Sequence, residues 1–253
     1  MGIIVVTGSA SGIGAATTER LEKDGHRVIG VDRHNAEIVA DLGSVDGRAA
    51  VVEKVLASCD GRLTGVVSAA GLGPYDEPKA VARVNYFGAV AMLDDLKGSL
   101  ARGEEPAAVA ISSIGAVFTQ MMIPEFIVAC EKGDEEAAQE IISSHDGNAA
   151  YCNAKHALAL AVRQRAVEWG SLGIRLNAVA PGSTETAMLD RLHEDPILSP
   201  AVKGLPIPMG RTAPAAELAS AIAFLLGPDA RYVHGTVLHV DGGSDAVVRP
   251  EAL

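Results

Sequence analysis

The chain has 253 residues, 48% of them hydrophobic and only 4% aromatic, and carries a formal net charge of −11. That length holds one large α/β domain or two small ones, and the apolar content excludes a disordered chain. The acidic balance, with no cluster of Lys and Arg, argues against a nucleic acid or an anionic membrane as partner, and no apolar run reaches the roughly 18 residues needed to span a bilayer.

Ile3–Thr7 is a β-branched run and the first predicted strand, with a helix following over about 12–24. Gly8, Gly12 and Gly14 fall at the turn between them, with Ser11 and Ile13 in the same TGSASGIG loop. Glycines at a strand–helix turn let backbone N–H groups and a helix N-terminus approach a pyrophosphate closely. The second predicted strand, Arg27–Val31, leads to Asp32, 18 residues after Gly14. An acid at that place hydrogen-bonds adenosine ribose hydroxyls and repels a 2′-phosphate, so NAD is expected over NADP. Arg33 beside it is able to welcome that phosphate, but Asp32 is expected to prevail because its carboxylate would sit against the ribose.

Strands are then predicted at Glu37–Ala40, Thr64–Ala69, Ala107–Ser112, Ile174–Val179 and Thr236–Val240. Helices are predicted at about 45–58, 78–102, 149–171 and 214–227. Such alternation makes right-handed βαβ units and a parallel sheet. The expectation is a single-domain Rossmann fold over 1–253, a doubly wound seven-stranded parallel sheet with ligand at the carboxyl ends of its strands.

Tyr-x-x-x-Lys occurs twice. In Tyr75–Lys79, Pro78 biases Glu77 away from helix, so the two side chains are not expected to share a helical face. Tyr151–Lys155 lies near the start of a long helical stretch, and four residues is about one turn, which puts phenol and ammonium on one face. A cation there is expected to move the phenol toward the working pH range. Ser112 and Ser113 end a buried strand, where a hydroxyl faces the ligand crevice, although strand-end serines often serve as turn caps.

With these residues together, the chain resembles the short-chain dehydrogenase/reductase family over nearly its whole length. TGSASGIG resembles the family's Thr-Gly-x-x-x-Gly-x-Gly loop, VNYFG carries its helix asparagine at Asn85, and ISS its serine at Ser113. YCNAK carries the catalytic Tyr151 and Lys155, and APGSTET the loop of Pro181, Gly182, Thr184 and Thr186, with Thr186 expected at the nicotinamide carboxamide. The resemblance implies hydride transfer between NAD and an alcohol carbon. In it Tyr151 exchanges the proton, Ser113 binds the substrate oxygen, Lys155 holds the ribose, and Asn85 holds a relay water. It also implies that Asp41 and Leu42 contact adenine. The usual Asn-Asn-Ala-Gly is Ser68-Ala69-Ala70-Gly71 here, so only backbone roles are carried over to Ala69, Ala70 and Gly71. Stretches outside the shared motifs, among them GHRVIGVDRHNAEIVADL and DGGSDAVVRP, are similar to a bacterial branch acting on hydroxysteroids and bulky carbonyls. Of relatives with other roles on this fold, a sugar-nucleotide epimerase or dehydratase would be longer with a shorter Gly spacing in the first loop, and a non-enzymatic NAD sensor would lack Tyr151 or Lys155, so both fit less well.

Residues 183–210 make an unusually long strand–helix connection, expected to be a lid whose Met188, Leu189, Leu192, Ile197, Leu198, Val202, Leu205, Ile207 and Met209 partly line an apolar pocket. His145, His156 and His193 match no metal spacing, and Cys152 is assigned no role, so no metal is expected. Three scattered cysteines and an apolar start that reads as a strand suggest a cytoplasmic enzyme.

One segment departs from the family. Ser113 and Tyr151 are 38 residues apart, against about thirteen in most relatives, so an insertion spans about 118–148. Pro124 can start a helix, Gly133 can end it, and Asp134 can cap a second whose apolar stripe is Ala137, Ala138, Ile141 and Ile142. The expectation is a helical hairpin that walls the substrate cleft. Many relatives form tetramers through the Tyr–Lys helix, so a hairpin at its foot suggests a homodimer through another surface, such as the last strand and tail.

Overall fold

The computed structural model describes residues 2–252. Seven strands form one parallel sheet: β1 (Ile3–Thr7), β2 (Arg27–Asp32), β3 (Ile38–Val39), β4 (Gly65–Ser68), β5 (Ala107–Ile111), β6 (Arg175–Pro181) and β9 (Val237–Val240). Their order is β3-β2-β1-β4-β5-β6-β9, and every pairing is parallel. Chain direction across the sheet therefore reverses between β1 and β4, where a doubly wound sheet opens its ligand crevice. A two-stranded pair, β7 (Thr184–Glu185) with β8 (Ala213–Pro214), stands apart from it.

Successive strand residues point to opposite faces, and the core divides accordingly. Ile4, Val6, Val67 and Val109 face one layer of helix, α1 (Gly12–Lys23) and α11 (Ala215–Leu226), where Leu21, Leu218, Ile222 and Leu225 meet them. Val5, Ile29, Val66 and Ala108 face the other layer. That layer contains α2 (Val45–Ser58), α3 (Pro78–Ala82), α4 (Ala89–Leu100), α7 (Gly147–Gln164) and α8 (Ala166–Ser171). Each fully buried Leu or Ile contributes about 1.5–3 kcal/mol of burial.

Two long predicted helices are interrupted. The 78–102 stretch is α3, then a π-helical turn over Arg83–Gly88, then α4. Widening at this turn accompanies the side chain of Asn85, which bonds both backbone groups of Leu72. The 149–171 stretch breaks after Gln164, where Arg165 turns to make a bidentate pair with Asp94 at 2.9 and 2.7 Å.

The insertion is a hairpin of α5 (Pro124–Glu131) and α6 (Glu135–Ile142), turned at Gly133 with φ +70°. Pro124 opens the first helix, and Asp134 caps the second by accepting from the Ala137 N–H at 3.0 Å. Its apolar side is fully inward: Phe126, Cys130, Ala138 and Ile142 join the core on the α3–α7 side. The Tyr86 hydroxyl donates to the Cys130 carbonyl at 2.8 Å, and Arg48 of α2 pairs with Glu135 at 2.7 Å. The expectation of a cleft wall is corrected: the two helices clad the outer helical layer, because their i, i+4 apolar stripes find a dry partner there. Only the residues at the stems of the insertion, Phe118, Gln120, Met121 and Asn148, reach the cleft. The lid contains α9 (Ala187–Glu194) and α10 (Ser199–Gly204), and the chain closes with α12 (Ser244–Val248).

Candidate active site

A cleft of about 690 Å³ opens at the carboxyl ends of the strands. At one end the chain makes its tight turn out of β1. Gly8 has φ +71°, and a Cβ on it would lie 2.8 Å from the Ala70 nitrogen. A Cβ on Gly14 would lie 2.0 Å from the Gly8 carbonyl oxygen, so the first turn of α1 seats directly on this loop. Ser11 precedes α1 in extended conformation without capping it by its side chain, which leaves the N–H groups of the helix start for an anion. Ser11, Gly12, Ile13 and Gly14 line the same end.

Asp32, at the end of β2, closes this end of the cleft. Its carboxylate accepts from the N–H of Ala10 at 3.0 Å and of Arg33 at 2.6 Å, which fixes it beside the loop. Arg33, Asp41, Leu42, Ala69, Ala70 and Gly71 line the cleft beyond it. The buried Thr7 hydroxyl accepts from the N–H groups of both Ala69 and Ala70 at 3.0 Å, pinning the end of β4 to the end of β1. Opposite, Pro181, Gly182, Thr184 and Thr186 complete the enclosure. These residues fit a dinucleotide: a side-chain-free cradle, a free helix N-terminus, and an acid fixed at the end of the second strand.

The reacting end is built by β5 and α7. Ser113 follows β5 in extended conformation and caps the 3-10 turn Ile114–Val117 by accepting from the Gly115 N–H at 3.0 Å. The capping and ligand-facing readings of this serine thus hold together, since its own proton stays free for the cleft. A Cβ on Gly115 would lie 3.3 Å from the Cys152 sulfur, 3.4 Å from the Ser113 hydroxyl and 3.5 Å from the Tyr151 ring, so glycine lets the three converge. Ser112 donates to the Lys155 carbonyl at 2.9 Å and His156 bonds the Ala116 carbonyl at 2.8 Å, locking α7 to the end of β5.

Lys155 is 4% exposed, and its ammonium donates to the Ile111 carbonyl at 2.7 Å. Burial lowers its pKa to about 8. Tyr151 does not respond as expected from its sequence neighbour. Its pKa is pushed up to about 12, first by burial, with the facing Ser113 hydroxyl acting the other way. The ammonium is 6.0 Å from the ring centroid and turned to the backbone, so desolvation of the phenol outweighs it. Asn85 is fully buried behind Gly71, where a Cβ on that glycine would be 3.3 Å from its amide oxygen and 3.5 Å from the Lys155 ammonium. It is the one residue expected in the catalytic or cofactor set that does not line the cleft.

The remaining wall is apolar. Met188, Leu189 and Leu192 of α9 and Val202 and Leu205 near α10 line it. Ile197 and Met209 are instead 83% and 65% exposed, and Ile207 packs on Gly242. Cys152, given no role from sequence, lines the cleft beside Tyr151, as does Asn148 one turn earlier. The decoy pair is split: Lys79 is 3.9 Å from Glu140 of the hairpin, whereas Tyr75 lies under Arg191 of the lid. His145 and His193 are exposed, and no group of three or more His, Cys, Asp or Glu gathers in metal-binding geometry among the described residues.

A doubly wound sheet with a dinucleotide cradle and a Ser-Tyr-Lys set at one crevice defines a nicotinamide-dependent oxidoreductase class. The comparisons agree. Residues 2–126 match the family model described as short chain dehydrogenase, and residues 137–245 match one described as enoyl-(acyl carrier protein) reductase. The chain is 44% identical to the 3-alpha-hydroxysteroid dehydrogenase/carbonyl reductase of Comamonas testosteroni, with 99% of each chain covered. It superposes with TM-score 0.96 and 43% identity on the 3-alpha-hydroxysteroid dehydrogenase of Pseudomonas sp. B-0831 complexed with NADH, covering 99% of this chain and 100% of that one. Levodione reductase of Leifsonia aquatica is 29% identical, with 96% and 94% of the two chains covered. The chain belongs to the short-chain dehydrogenase/reductase family, and it is an oxidoreductase acting on alcohols and ketones.

Proposed function

We propose that the enzyme interconverts a secondary alcohol and a ketone with NAD(H), on a bulky apolar substrate of the 3α-hydroxysteroid kind. The observation that carries this reading is the shared cleft: cradle, Ser-Tyr-Lys set and apolar lid lie along one continuous surface. Its charged lining among the described residues is Asp32, Arg33, Asp41 and Lys155, all of them at the dinucleotide end or at the catalytic centre. The substrate wing therefore has no cation to clamp a diacid or a phosphate. The names of the relatives above, one crystallised with NADH, point the same way.

Gly8, Gly12 and Gly14 would hold the pyrophosphate, Asp32 the adenosine ribose, and Thr186 the nicotinamide amide. A nicotinamide held there would supply the hydride chemistry. Tyr151 moves the proton at the substrate oxygen, and Ser113 donates a hydrogen bond to that oxygen. Lys155 orients the cofactor ribose. Asn85 would hold a relay water, a reading supported by its amide oxygen and the Lys155 ammonium both lying against Gly71.

The proposed assembly is a homodimer. α5 and α6 lie over the α3–α7 side, whereas β9 has a strand neighbour on one side only, and the exposed Tyr232 and Phe224 lie near it in sequence. No helix of the described residues is long and apolar enough to cross a membrane, and the proposed location is the cytoplasm. The decisive experiment is an NAD-reduction screen across steroid, aliphatic and sugar alcohols. The 3α-hydroxysteroids should give the highest kcat/KM, and preference for sugar alcohols would overturn the substrate reading. Light scattering should give a dimer, and a tetramer paired through α7 would overturn the assembly.

A further inference from the structure

α9 and α10 pack chiefly on each other and on β7, so the lid is a flap with little helical support from the body. Its first turn is anchored at the cofactor end: Thr186 caps α9 through the Leu189 N–H at 3.3 Å and lies against Gly12. About one and a half turns later a charged side chain reaches across to the body. The Arg191 guanidinium sits 3.7 Å from the centroid of the Tyr75 ring, and one of its nitrogens is 3.5 Å from the Asp76 carboxylate.

The surface it lands on is prearranged. Asp76 accepts from the Gly73 N–H at 2.7 Å, and Tyr75 folds back over Gly73, whose added Cβ would be 2.6 Å from the ring. This turn rests in its turn on the catalytic helix. A Cβ on Gly147, the first residue of α7, would be 2.4 Å from the Asp76 carbonyl oxygen and 2.6 Å from that of Pro74. Leu72 and Pro74 line one wall of the cleft and Leu189 and Leu192 the other, so the Arg191–Tyr75 contact spans from wall to wall.

We propose that Arg191 is a positioning residue for the reaction. By stacking on Tyr75 it clasps α9 shut, and Leu189 and Leu192 are thereby pressed onto the apolar body of the substrate. The proposal rests on reading this wing as the substrate site. The planar guanidinium suits the ring face, and Asp76 keeps the cation oriented over it. The clasp is assigned to the ring of Tyr75, over which the guanidinium stacks, with the hydroxyl beside Arg191 the lesser contributor.

The test compares Arg191→Ala, Tyr75→Ala, Tyr75→Phe and the Arg191→Ala/Tyr75→Ala double variant. Amide hydrogen exchange over Ala187–Glu194 is read in the NADH-bound enzyme, and KM and kcat are read with the best alcohol from the screen. Arg191→Ala and Tyr75→Ala should each speed exchange and raise KM about five-fold, the size of a cation–π contact, with kcat within about two-fold. The double variant should be no worse than either single, and Tyr75→Phe should match the native enzyme. Native-like exchange and KM in Arg191→Ala, or losses that multiply in the double variant, would overturn the clasp. The exchange readout needs no substrate, so it separates failure of the clasp from failure of the substrate reading.

Discussion

Lys155 is held at a cost to the fold, and the cost is measurable. Its pKa falls from 10.5 to about 8 on burial. That fall corresponds to about 3 kcal/mol of destabilisation while the side chain stays charged. Lys155→Met keeps the volume and removes the charge, but it leaves the Ile111 carbonyl without its donor, which costs about 1–3 kcal/mol. The expected net effect at pH 7 is a cofactor-free enzyme more stable by about 1 kcal/mol and catalytically dead. The pH dependence isolates the cause. Because the folded pKa is the lower, the unfolded chain holds more protons between about pH 8 and 10.5, and native stability rises with pH through that window. By pH 9 the native enzyme should gain on the order of 1 kcal/mol on the variant relative to pH 6.5. Urea unfolding of both proteins across this range measures the difference, in which all other titrations cancel. A difference that stays flat from pH 7 to 10 would refute the reasoning, whatever its absolute size.

Tyr151→Phe should retain NADH binding within about two-fold by fluorescence titration while kcat drops about 10²–10⁴-fold, and near-native turnover would remove Tyr151 from its role. Asp32→Ala should lower the NAD-to-NADP ratio of kcat/KM about ten-fold or more, because its anchored carboxylate no longer repels a 2′-phosphate. Native kinetics already favouring NADP contradict that reading. Phe126→Ala should destabilise the protein by about 3–5 kcal/mol in urea unfolding, as a fully buried aromatic, yet leave KM unchanged in the folded enzyme. A five-fold change in KM would mean that the hairpin reaches the cleft after all.

Much of this was legible because local chemistry and tertiary fate agree. Gly8 and Gly14 are glycines for contacts under 3 Å, and Pro124, Gly133 and Asp134 start, turn and cap the hairpin as their types dictate. What was not legible arises from distant partners. Nothing in Arg83–Gly88 breaks a helix; the π turn goes with the grip of Asn85 on Leu72. Arg165 ends α7 while gripping Asp94, 71 residues away. The Tyr151–Lys155 spacing placed both groups on one face, but spacing says nothing about dryness, and burial decides the direction of both pKa shifts. Thr7, Gly115 and Asn153 escaped notice. Thr7 opens the glycine loop and Gly115 closes ISSIG, signals that were present, whereas Asn153 is one more polar residue in a helix.

Asn153 nevertheless explains how an extra 25 or so residues were tolerated beside a reacting centre. Its amide oxygen accepts from the Ile123 N–H at 2.7 Å, and its nitrogen donates to the carbonyls of Met121 and Ala149, both at 2.9 Å. The outgoing stem of the hairpin is thus stapled to the first turns of the helix into which the returning stem runs. The added segment leaves and rejoins the body at one spot, while Phe126 and Ile142 between those ends are buried in the core. The start of the helix that bears Tyr151 is thereby tied to the segment that follows Ser113, so the hairpin can add its apolar side chains to the core without entering the space between those two residues.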